Sequence, residues 1–93
     1  MTIDEGAESA LYKGKSLLPV GIKSVEGAFN KGSVVKIENM KKEVIAMGIS
    51  NYSSEEINLI KGQHSEDIEN ILGHKYANEA VHIDNVAKIN KIV

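Results

Sequence analysis

The stretch Ser33-Val34-Val35-Lys36-Ile37-Glu38-Asn39-Met40-Lys41-Lys42-Glu43-Val44-Ile45-Ala46-Met47-Gly48-Ile49-Ser50 decides the fold. Two apolar runs of strand length flank the turn residues Asn39 to Lys42, the pattern of a β-hairpin. In the first run Val35 and Ile37 share one face, with Val34 and Lys36 on the other. The second run, Val44 to Ile49, is apolar on both faces, which predicts a central strand rather than an edge. Gly48 inside that run predicts a bulge or a close backbone approach.

Upstream of the hairpin, Ile3 reads as a short extended entry into a helix reaching Lys13. Asp4 is a suitable N-cap, and Glu5 and Glu8 complement the helix dipole in the first turn. Ala7, Ala10 and Leu11 form one apolar stripe at helical spacing, and Gly14 is the left-handed stop. Lys15 to Gly21 is a loop holding the only proline, Pro19, with Leu17 and Leu18 as anchors onto the core. Gly21 to Gly27 reads as a strand, and Phe29 pins the glycine-bearing turn before the hairpin.

Downstream, Ser53-Ser54-Glu55-Glu56 matches a capping box, with Ile57 and Ile60 inward and Gly62 as the stop. Ser65 is expected to cap a further helix that buries Ile68, Ile71 and Leu72 and ends at Gly73. Ala80 to Ile83 and Val86 to Val93 read as extended. Helices thus interrupt a mainly antiparallel sheet instead of alternating with parallel strands. The expected class is α+β, mainly β: a small mixed pseudo-barrel with one N-terminal helix and two helices between the hairpin and the last strand. The 93 residues carry no repeat or linker and read as one domain, 1–93.

Composition narrows the function. Hydrophobic content of 42% and charged content of 26% describe a globular chain. Cys is absent, which removes disulfides, thiolate chemistry and sulfur-ligated zinc. No apolar run approaches the roughly 20 residues that span a bilayer, and no secretory signal pattern opens the chain. These features read as a cytoplasmic domain without a membrane partner.

The net charge of −2 hides a segregation. Leu11 to Lys42 holds seven Lys against Glu26 and Glu38, a net of +5, while Glu43 to Asp84 holds eight acids against Lys61 and Lys75, a net of −6. The basic half either solvates one edge of a sheet or attracts phosphates. All eleven basic residues are Lys. Without Arg, bidentate base reading is disfavoured and Lys point charges remain.

Motifs for chemistry are weak. Gly14-Lys15-Ser16 matches the tail of a phosphate-binding loop. However, the first glycine of that motif falls on Ser9 inside the expected helix, and the tripeptide follows a helix instead of opening one. His64, His74 and His82 are not spaced as metal ligands. His82 and Asp84 share a strand face, a setting for a structural hydrogen bond. Asn51-Tyr52-Ser53-Ser54 joins a central strand to a helix, where Tyr52 either staples the helix or serves a site. No nucleophile with its base can be placed.

Along nearly the whole chain, motifs resemble a known family. Asp4-Glu5-Gly6-Ala7, Gly14-Lys15-Ser16-Leu17-Leu18-Pro19-Val20-Gly21-Ile22 and Val25-Glu26-Gly27-Ala28-Phe29 look like a PUA domain, named after pseudouridine synthases and archaeosine transglycosylases. Asn51-Tyr52-Ser53-Ser54-Glu55-Glu56, Ile60-Lys61-Gly62, Ile71-Leu72-Gly73 and Glu79-Ala80-Val81-His82-Ile83-Asp84-Asn85 are similar to the PUA domain at the C-terminus of glutamate 5-kinases. Ile83 stands where those kinases typically carry Arg, so no charge role carries over to it.

The resemblance implies a parent enzyme that moves the ATP γ-phosphate onto the glutamate side-chain carboxylate, the first step of proline synthesis. ATP and Mg would be held by the parent's kinase domain, so neither cofactors nor catalytic residues are expected on this chain. The implied partner is that kinase domain in cis, in a homo-oligomeric parent. PUA domains of RNA-modifying enzymes use the first helix, the following loop and the next strand to bind RNA. The corresponding positions are Lys13, Gly14, Lys15, Ser16, Pro19 and Lys23, in the basic half. Binding there would be weak and salt-dependent. The alternative to a kinase appendage is a free-standing PUA module contacting structured RNA through this surface.

Overall fold

A computed structural model describes residues 1–89. Short strands β1 (Thr2–Ile3), β2 (Ile22–Ser24), β3 (Val34–Glu38), β4 (Val44–Ile49) and β5 (Val86–Lys88) form one mixed sheet in the order β2-β1-β3-β4-β5. Three helices accompany it: α1 (Glu5–Tyr12) precedes the hairpin, and α2 (Ser54–Ile60) and α3 (Ile68–Leu72) lie between β4 and β5. This is the small α+β arrangement expected from the order of elements.

The hairpin of β3 and β4 is antiparallel, pairing Val35 with Gly48 and Ile37 with Ala46. Its turn is built by Asn39, whose side-chain oxygen accepts from the N–H groups of Lys41 and Glu43, both at 3.0 Å. The pairing then slips from Ile37↔Ala46 to Glu38↔Val44, so the bulge leaves Ile45 as the extra residue. The second strand is central, between β3 and β5. Ile45, Ala46 and Gly48 are buried, but Ile49 at its end is exposed. Gly48 answers to close approach: a Cβ there would lie 2.6 Å from Val81 Cγ1.

Both long helices begin as their caps dictate. Asp4 accepts from the Ala7 N–H at 2.7 Å, and Gly14 follows α1 with φ +81°. At α2 the capping box is complete: Ser53 Oγ accepts from Glu56 N–H, and Glu56 accepts from Ser53 N–H at 2.9 Å. The sheet's inner face, Leu11, Leu17, Ile57, Ile60, Ile68 and Val81 enclose one aliphatic core.

Five local expectations are corrected. Ser65 opens a 3₁₀ turn (Ser65–Asp67) without capping it, because its hydroxyl donates to the Asn78 carbonyl. The following α3 has five residues and touches the core along one edge, so Ile68 is buried while Ile71 is exposed. Leu18 is likewise exposed, and Leu17 alone anchors its loop. Ala80 to Ile83 is not a strand: only Val81 bridges to Leu17, and Ile83–Asn85 is a 3₁₀ turn closed by Asp84 N–H donating to His82 Nδ1. The strand expected over Gly21 to Gly27 shortens to Ile22–Ser24, after a 3₁₀ turn over Pro19–Gly21. Of the extended segment expected over Val86 to Val93, residues 90–93 lie outside the described residues.

Candidate functional site

The surface singled out by sequence is formed by α1, the loop after it and β2. Hydrogen bonds of Leu17, Ser16, Pro19 and Gly21 hold the loop to the body, the last from Asp4 N–H to Gly21 O at 2.9 Å. Leu17 exchanges backbone hydrogen bonds with the 80–81 segment, its N–H donating to Val81 O at 3.0 Å and its carbonyl accepting from Ala80 N–H at 2.8 Å. The Ser16 hydroxyl accepts from Ile83 N–H at 2.8 Å. The Pro19 carbonyl accepts from Gly62 N–H at 2.8 Å. A further restraint is steric. Gly21 packs so tightly on α1 that a Cβ there would fall 2.5 Å from Ala7 Cβ.

These restraints leave an open groove of about 300 Å³ between α1 and the Pro19–Gly21 turn. Ala7, Ala10, Leu18 and Val20 make it mainly apolar, and Asp4, Lys15 and Ser16 also line it. Leu18 and Val20 are each 42% exposed, a high value for aliphatic side chains beside a core. The six predicted positions are therefore only partly brought together. Lys15 and Ser16 line the groove. Lys13 and Gly14 form the exposed end of α1, and Lys23 is exposed on β2. Pro19 is fully buried and presents no side-chain surface. Among the described residues, Lys13, Lys15 and Lys23 have no carboxylate at ion-pair distance. Their ammonium groups therefore face solvent uncompensated, a setting for anion attraction in low salt.

A second polar cluster was not legible as such. The Tyr52 hydroxyl, fully buried, accepts from the N–H groups of Tyr76 and Ala77 at 3.1 and 3.0 Å and donates to Ala77 O at 2.6 Å. Tyr76 packs on Tyr52 with ring centroids 5.3 Å apart, and Lys31 Nζ sits 3.7 Å above its ring. His74 Nε2 meets Glu56 Oε2 at 2.5 Å. Burial pushes the Glu56 carboxyl up, but hydrogen bonds from Ser53 and His74 outweigh it and hold the group below its ordinary value. Tyr52 is thereby assigned to structure. No signal short of the fold brings Lys31, Tyr52 and Tyr76 together.

Among the described residues, no group of three His, Cys, Asp or Glu side chains is placed to hold a metal ion. No described helix is long and apolar enough to cross a membrane. His82 does make a structural hydrogen bond, but it closes a 3₁₀ turn through the Asp84 N–H and does not lie on the expected strand face.

The family model described as "PUA domain" matches residues 1–72. The chain belongs to the PUA domain family. Its resemblance to glutamate 5-kinases also holds in direct comparison. A glutamate 5-kinase of Dictyoglomus turgidum is 51% identical over 90 residues, covering 96% of this chain and 24% of the kinase. That of Pasteurella multocida is 49% identical over 87 residues, again 24% of its length. The chain thus spans about a quarter of the curated relatives it matches. Among solved structures, a PUA domain from Aeropyrum pernix K1, crystallised as a tartrate complex, superposes with a TM-score of 0.63 at 22% identity, over 87% of this chain and 39% of that one. A PUA domain protein from Thermoplasma acidophilum gives 0.59 at 25% identity, over 87% of this chain and 44% of that one. These PUA domains share the fold.

Proposed function

We propose that this PUA domain is the C-terminal domain of a glutamate 5-kinase and acts on the kinase domain in cis as a regulatory and structural appendage. One observation carries the reading: nearly the whole chain aligns at about half identity with a quarter of each kinase. The parent would phosphorylate the glutamate side chain with ATP in the cytoplasm, as a homo-oligomer, with ATP and Mg in its kinase domain. The test has two stages. The reading frame upstream of Met1 should encode a kinase-length domain; a stop codon there refutes the parentage. Deleting residues 1–93 from the full enzyme should then change kcat/KM for glutamate, inhibition by proline or oligomeric state. If all three stay the same, the appendage has no such role.

A second reading, an RNA-binding module, is favoured by the uncompensated Lys13, Lys15 and Lys23. Contacts of that kind give sequence-tolerant affinity that falls steeply with salt. Amide shifts during a low-salt tRNA titration should cluster on residues 13–23, and shifts scattered elsewhere or absent exclude this surface.

A further inference from the structure

The edge of β3 that faces β1 is longer than β1 itself. In the β3–β4 pairing, Val35 and Ile37 turn their backbone groups toward β4, so those of Val34, Lys36 and Glu38 point the other way. On that side Met1 spans two of them in parallel: its N–H group donates to Lys36 O at 2.7 Å, and its carbonyl accepts from Glu38 N–H at 2.7 Å. The next two groups, the Lys36 N–H and the Val34 C=O, lie beyond the end of β1. Among the described residues no loop backbone or side chain bonds them. They are not sealed off either, because a groove of about 290 Å³ runs along them. Met1, Glu26, Gly27, Ala28 and Phe29 line it as well.

Such a slot has the shape of a missing strand. It is lined by a bare ladder edge and a loop, and exposed ladder edges are paired readily by an incoming chain. The place where an added chain begins is also set. The Met1 nitrogen donates to Lys36 O and lies 3.6 Å from Glu26 Oε2, at the groove that Gly27, Ala28 and Phe29 also line, so peptide added before Met1 starts beside β3. We infer that the segment preceding Met1 in the longer protein prolongs β1 as a parallel strand along Val34–Lys36. In parallel register, the residue two places before Met1 accepts from the Lys36 N–H and donates to Val34 O. The inference rests on the kinase reading for there being a domain upstream. Its consequence is mechanical: the connection would be a strand built into the PUA sheet, not a loose tether, and motion of the upstream domain would pull directly on β3.

Hydrogen exchange at the Lys36 amide tests this in the full-length protein, with the 93-residue chain as comparator. The Glu38 amide, already held by Met1 O, is the internal reference. Lys36 should exchange at least about tenfold more slowly in the full-length protein than in the 93-residue chain, while Glu38 changes little. Equal, fast exchange of Lys36 in both overturns the inference. Slow exchange already in the 93-residue chain overturns it too, and if that protection grows with concentration the slot takes a second copy. An upstream domain that is not a kinase would refute the functional reading and leave this result standing on its own.

Discussion

Gly21 and Ala7 bring α1 and the Pro19–Gly21 turn closer than a Cβ on residue 21 permits, and both line the groove beside them. Gly21→Ala should destabilise the domain by about 1–3 kcal/mol through overpacking. Ala7→Gly in the same chain should recover part of the loss, because it vacates the Cβ only 2.5 Å away. Urea denaturation of both variants checks this, and no recovery in the double variant would mean that the contact is not the cause. Glu26 makes a different prediction. The Ser24 hydroxyl lowers its pKa most; burial opposes, and the Thr2 hydroxyl and Lys42 lower it further, to about 2 from the ordinary 4.5. A depressed carboxyl stabilises the fold above its unfolded pKa, and that contribution is lost as pH falls from about 4.5 to about 2. Glu26 is half exposed, so the effect is screened and small. Glu26→Gln should therefore lower Tm slightly at pH 7 and not at pH 2. Thermal melts across that range decide it, and a Tm difference independent of pH would disprove the linkage.

At the scale of elements, the starts of α1 and α2 were legible because caps are local. Asp4 and the Ser53–Glu56 box bond groups within three residues, so spacing alone specifies them. The hairpin was legible for the same reason, with Asn39 closing its own turn. The segment around 73–83 was not. Tyr52 arranges it from 25 residues away through three hydrogen bonds of one buried hydroxyl. Tyr52→Phe would leave the Tyr76 and Ala77 N–H groups unpaired and should cost about 1–3 kcal/mol. It should also speed exchange of those two amides ahead of the rest of the domain. A variant as stable as the parent chain would show that water replaces the hydroxyl at no cost.

At the scale of the molecule, the elements share one core. Backbone bonds tie Leu17 to Ala80 and Val81, Pro19 to Gly62, and Ile45 to Ile89, so early and late segments close on each other. Denaturation should be a single transition, with coincident midpoints by far-UV dichroism and tyrosine fluorescence; separated midpoints would divide the chain into two folding units. Sequence by itself determined the hairpin, the capped helices, the central place of β4 and the family, because periodicity, caps and motifs act over a few residues. It also located the lysines of the candidate surface. Only the tertiary structure decided which of those positions are accessible. It buried Pro19, turned Leu18 and Ile71 outward, and joined Tyr52 to Tyr76. Those outcomes depend on how distant segments compete for one small core, a competition that no local pattern records.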